Sequence, residues 1–226
     1  MTEDFRQILK EARHAVRRGA HAEALQKYLW FHHHALEHSL ALGGVRLSYA
    51  IAEWLELGKA YPPALVALES VQAVTLRSLQ SGSNNRREFH DFASINERLG
   101  RSELTCSVFR EIAEHQAEFA KECFLLALPS LIRTQDFALA RRFATSPKER
   151  LDSHLAWFAK WLLNERRPSL HDDVLIGLCA SHVRELSSVF EGVGEHEEAE
   201  LLQSKAIEEL ANPSDRKELR RQLFLR

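Results

Sequence analysis

Histidines crowd one short stretch of the chain, His32-His33-His34 followed by His38. On a helix, His34 and His38 share a face, as two imidazole ligands of a metal ion would. Two ligands leave a tetrahedral site half built, and no Cys or Asp stands at ligand spacing beside them. The stretch therefore reads as surface or packing histidines. Two His-Asp dipeptides, His90-Asp91 and His171-Asp172, bring metal-ligating types side by side again. Asp172 has a structural role ready for it, capping exposed amides at the positive end of a helix. Nucleophilic chemistry has less to start from: there is no Gly-x-Ser-x-Gly elbow and no Gly-rich phosphate loop with its Lys-Ser/Thr. The expectation is a chain with no catalytic residue, no metal and no cofactor.

A helix face carries the stronger signal. Arg6, Lys10, Arg13 and Arg17 recur at i, i+4, i+7 and i+11, so like charges stack along one side of the first helix and repel. One reading is a solvated face, neutralised by Glu53 or Glu56 on a neighbouring helix. The other is the basic wall of a groove for an acidic peptide or protein loop, extended by Arg46, Tyr49, Arg87 and His90. The planar arginine fork suits paired binding of carboxylates. Trp157 and Trp161 lie one turn apart, off the stripe of Leu151, Leu155, Phe158 and Leu162. They either anchor a partner, as aromatic hot spots do, or are buried by a helix packed on two sides. Trp30, flanked by His33 and His34, faces the same choice.

Composition limits the rest. A chain of 226 residues with 45% hydrophobic content can bury a large core. Thirty basic against 32 acidic side chains give no general attraction to nucleic acid or to an anionic membrane. Cys106, Cys123 and Cys179 are odd in number and embedded in apolar runs, which favours buried free thiols in a reducing compartment. No signal peptide or long uncharged apolar stretch is present, so a cytoplasmic location is expected.

The elements that must position these residues read as helices throughout. Phe5, Ile8, Leu9, Ala12, Ala15 and Val16 form a stripe that Gly19 ends. Leu25, Tyr28, Leu29, Phe31 and Leu36 form the next, closed by Gly43-Gly44. A third helix is predicted from Val45 to Leu57 with Gly58 as its left-handed cap, and Pro62-Pro63 suit the first turn of a fourth. Residues 81–86 are the most loop-like stretch and the natural hinge in a single domain spanning 1–226. Beyond them Ser102 is an N-cap candidate, and an apolar run extends through Phe109, Ile112, Phe119, Phe124 and Leu128. Pro129 predicts a kink or a new helix there. Further helices are expected after Asp136 and Ser146-Pro147, and near Asp172, Glu195 and Ser214.

One phrase recurs: a break, an aromatic or His, then Ala. It stands at Gly19-Ala20-His21-Ala22-Glu23-Ala24, Lys59 to Ala64, Gln135 to Ala140 and Gly194 to Ala199. Recurrence on a scale of roughly 35 to 45 residues signals stacked helical hairpins. The pattern resembles the tetratricopeptide repeat: Gly19, Ala24, Tyr28 and Phe31 match its turn, small and large positions, as do Tyr61, Ala64, Leu68 and Val71. Trp54, Leu57 and Gly58 echo its Trp-x-x-Leu-Gly phrase. Gly194, His196, Ala199 and Ala206 match near the end, whereas Gly100, Phe109 and Ile112 fit loosely, with Thr105 in the Ala position. This resemblance implies an all-α, right-handed solenoid of antiparallel hairpins, roughly ten to twelve helices, whose concave face grips a protein or peptide. The stretch from Tyr28 through Gly44 to Tyr61 also resembles a recurrent segment of uncharacterised bacterial proteins, which implies a bacterial source.

The His-Asp dipeptides resemble those of the helical metal-dependent phosphohydrolases, whose sites are completed by a His and an Asp from other helices. Three functions follow in order: a non-catalytic interaction module for a protein or acidic peptide, a bacterial immunity protein neutralising a toxin, and a metal-dependent phosphohydrolase. Neither nucleic acid nor membrane is an expected partner, and the sequence leaves the oligomeric state open.

Overall fold

Apolar residues on the stripe of the first helix do meet a partner: Phe5, Leu9, Ala12 and Ala15 are buried along α1 (Phe5–Arg17), which packs on α2 (His21–His38). In the computed structural model, residues 5–144, 172–210 and 212–224 are described. Among the described residues every regular element is helical. After α2 come α3 (Ile51–Ala60), α4 (Pro62–Gln80), α5 (Arg86–Leu99), α6 (Ser102–His115), α7 (Ala117–Arg133) and α8 (Phe137–Arg141), then α9 (Asp172–Gly192), α10 (His196–Glu209) and α11 (Pro213–Phe224). Two compact units result, Met1–Ala127 and Leu128–Arg226, and their division falls inside α7. The stretch 81–86 lies within the first unit.

In that unit α3 packs on α4, α4 on α5 and α5 on α6. The core centres on Tyr28, Phe31, Trp54, Leu68 and Ile95, and Trp54 Nε1 donates to the Ala64 carbonyl at 2.8 Å. In the second unit α9 packs against α8, α10 and α11. Close approach there depends on Gly192, because a Cβ would come within 2.2 Å of the Phe137 ring.

Five connections among the described residues share one backbone geometry: the Gly82 turn (φ +89°), whose Ser83 amide donates to Ser78 at 3.1 Å, and four others that a buried small residue follows. Gly19, Gly100, Gln135 and Gly194 have φ of +75°, +70°, +58° and +83°. The amide that follows each, from Ala20, Arg101, Asp136 and Glu195, donates back to Ala15, Asn96, Leu131 and Phe190 at 2.9, 2.8, 2.9 and 2.8 Å. This is the Schellman closure of a helix, which Gly adopts freely and Gln135 adopts at a cost in strain. One turn later a small residue is sealed between helices: Ala24, Thr105, Ala140 and Ala199 are buried. The loosely matching Gly100 phrase is thus a full member. The Lys59–Ala64 phrase is not, for Tyr61 has a negative φ of −137° and Pro62 opens the next helix directly.

Several expected boundaries move. Gly58 does not cap the third helix; it lies buried inside α3, where a Cβ would stand 3.1 Å from Leu65 Cβ, so its role is close packing. Gly43-Gly44 do not close α2, which ends at His38; they open a helical turn, Gly43–Val45, that leads through a π-turn, Arg46–Ala50, into α3. Arg101 rather than Ser102 is the N-cap of α6, because the left-handed Gly100 already completes the turn, and Ser102 is buried. Gln116 breaks the apolar run between α6 and α7, and α7 continues through Pro129 without a new helix starting there. Asp136 does cap α8, accepting from the Leu139 amide at 3.3 Å. Trp157, Trp161, His171 and the helix expected after Ser146-Pro147 lie outside the described residues.

Candidate functional site

Arg46 opens the π-turn, and π-turns are local rearrangements often found at functional sites. Its side chain is 4% exposed, an uncommon burial for a guanidinium. Partners from two other helices hold it there. One terminal nitrogen donates to His32 Nε2 at 3.1 Å and to the His32 carbonyl at 3.3 Å, and the other pairs with the Asp91 carboxylate. Nε is buried without an acceptor.

The cluster sets its own protonation. Burial, reinforced by the charge of Arg46 and by His33, pushes His32 down to about 3, so its ring is neutral and can accept the guanidinium proton. Burial raises Asp91 above the ordinary carboxyl value even though Arg46 pulls the other way. Burial also lowers His90, against the opposing pull of Asp91.

Two cavities meet at this cluster. The larger, about 650 Å³, runs between α2, which contributes Leu29, His32, His33 and Leu36, and α4, which contributes Ala67, Ser70, Val71, Val74 and Thr75. The first turns of α5 close one end with Asn85, Arg87, Glu88 and Asp91. The smaller, about 330 Å³, shares Leu36, Arg46, Arg87 and Asp91 and adds Gly43, Gly44, Leu47 and His90. A separate cavity of about 410 Å³ lies between α1 and α3, where Arg13, Arg17, Glu53, Glu56 and Tyr28 surround Val16, Leu57 and Ala60.

The residues expected to form one basic groove therefore divide. Arg13 and Arg17 line the α1–α3 cavity, whereas Arg46, Arg87 and His90 line the Arg46 cavities. Arg13 pairs with Glu53 at 2.8 Å, and Tyr28 Oη donates to the other Glu53 oxygen at 3.3 Å. Arg6 and Lys10 are exposed on α1 and line none of these cavities. Tyr49 is 69% exposed and lines none of them either.

The histidines also separate. His34 Nδ1 stands 2.9 Å from Glu37 Oε2, while the His38 ring stacks on Phe5 at 4.2 Å. Trp30 is partly buried and packs against Phe5 and His34 with centroids at 5.3 and 4.9 Å. Among the described residues no group of three His, Cys, Asp or Glu is placed to hold a metal ion. Asp91 and His90 are successive on α5, so their side chains diverge, and Asp91 is occupied by Arg46. The three thiols are buried, and burial pushes Cys123 and Cys179 up to about 12.

Sequence reasoning missed His32 and Asp91 as partners of Arg46. One signal was available: Arg46 stands between Val45 and Leu47, with Ala50 and Ile51 a turn later, so it sits on the apolar face of its helix and needs acceptors inside the fold. No protein family, curated protein or solved structure matches this chain.

Proposed function

We propose that the chain is a non-catalytic interaction module, a stack of tetratricopeptide-like hairpins that holds an acidic protein or peptide segment. The observation that carries this reading is the pair of open cavities in the first unit, each rimmed by an exposed arginine, Arg17 or Arg87. Neither side chain has a hydrogen bond or ion pair to any described residue. The helices place these arginines beside aliphatic walls, the mixture that protein interfaces use. Among the described residues, His32 and Asp91 are engaged in holding Arg46, and the three thiols are buried, with burial keeping Cys123 and Cys179 protonated.

The test is affinity capture from the organism's own lysate with the intact chain as bait, set beside Arg17→Glu and Arg87→Glu. A partner captured by the original chain and lost, at low salt, by at least one reversal supports the module. Capture that neither reversal weakens removes the arginines from the interface, and with them this reading.

A further inference from the structure

We infer that the cavity of about 650 Å³ at Arg46 receives the carboxylate of an acidic side chain, with that residue's aliphatic neighbours lying against Val71 and Val74. The inference rests on the interaction-module reading and names the chemistry that one of its two cavities selects.

The negative groups on the lining are already engaged. Asp91 is paired with Arg46, and Glu88 accepts from Ser78 Oγ at 2.7 Å and from Asn85 Nδ2 at 3.3 Å. The positive groups keep donors to spare. Arg46 Nε has no acceptor, and the Arg87 side chain, exposed beside it, makes no hydrogen bond or ion pair with a described residue. A buried charged donor without an acceptor is costly, so a carboxylate that reaches Arg46 relieves a deficit the fold itself leaves open. Because Nε is covered, the guanidinium must rotate slightly about its bonds to His32 and Asp91 to present it. Asn85, the N-cap of α5, lines the cavity, so the positive end of that helix lies beside it, which favours an anion there.

The formal charges of Arg46, Arg87, Glu88 and Asp91 cancel, so the lining suits a single negative charge better than a doubly charged phosphate. The opposite wall is aliphatic, and Val74 is 58% exposed, a surface for apolar residues flanking the acid.

The test uses the full chain labelled with nitrogen-15 and reads the arginine Nε–H resonances, assigned through Arg87→Ala and Arg46→Lys, while short peptides are titrated in. Acetyl-Leu-Glu-Leu-amide should shift the Arg46 and Arg87 signals and bind roughly tenfold or more tightly than acetyl-Leu-Gln-Leu-amide, the scale of one charge-assisted hydrogen bond. Arg87→Ala, an exposed position whose loss leaves the core intact, should remove most of that preference. Equal binding of the Gln peptide or of acetyl-Leu-Lys-Leu-amide overturns the inference, as does no binding, or a shift confined to the Arg13 and Arg17 signals. In those cases a lysate partner still lost on Arg17→Glu leaves the module reading standing. A peptide that binds as expected while the lysate shows no arginine-dependent partner assigns the carboxylate site and ends the module reading instead.

Discussion

The first unit contains two kinds of arginine. Arg46 is buried among partners from α2 and α5, whereas Arg13 reaches across an exposed surface to Glu53 on α3. Both make an ion pair, yet the physical consequences differ. A buried guanidinium has given up water, so each partner it loses leaves an uncompensated group in a low dielectric. An exposed one is hydrated and screened, and its pair contributes little. An ion-pair count would equate the two; burial separates them.

The comparison is broken most directly by Arg46→Met. It leaves Asp91 and His32 without their shared donor, and should cost about 3 to 5 kcal/mol in urea unfolding, the range for removing one partner of a buried pair. A loss below about 1 kcal/mol would show that the cluster relaxes to water, and Arg46 would then belong with Arg13.

Acid titration sharpens the same contrast. The folded value of His32 lies below its ordinary 6.5, at about 3, so between those pH values the unfolded chain binds the proton that the folded chain refuses. Stability from this group is present above about pH 6.5 and is lost as pH falls, by up to about 1.4 kcal/mol per pH unit. The raised value of Asp91 has the opposite sign, since the folded protein takes up that proton more readily, and it offsets part of the loss. Burial, with the charges of Arg46 and His33 added to it, keeps His32 uncharged across this range. Unfolding measured from pH 7 to pH 4 should show a slope that His32→Gln reduces; an unchanged slope would assign it to other groups.

The smallest effect belongs to the exposed pair. A double-mutant cycle on Arg13→Ala and Glu53→Ala should give a coupling of about 0.2 to 1 kcal/mol that declines with added salt. A coupling above about 2 kcal/mol would mean that Tyr28, which donates to the same carboxylate, has built a network there worth more than a surface pair.

Much of the fold was legible because helices advertise themselves locally. The stripe on α1 predicts its buried face, and the left-handed glycines at Gly19 and Gly194 mark turns that the structure contains. The phrase at Lys59–Ala64 does mark a break between two helices, but Pro62 with Tyr61 at φ −137° joins them without the left-handed residue the other turns need, so similar residues encode a different turn. Gly58, expected as a cap, instead packs close to Leu65, as Gly192 packs close to Phe137. A glycine kept for close approach looks, in sequence, like a glycine kept for φ, and the neighbour that decides lies on another helix.

The sequence by itself determined the helical class and the faces that turn inward, because periodicity and turn chemistry act over a few residues. Only the tertiary structure decided which charges are free. Arg46, Arg87 and Asp91 belong to one cavity, Arg13 and Arg17 to another, and that division depends on packing α2 against the π-turn and α4 against α5. A charge is fixed in its role by what lies within a few ångströms of it, and those neighbours come from residues far apart in the chain.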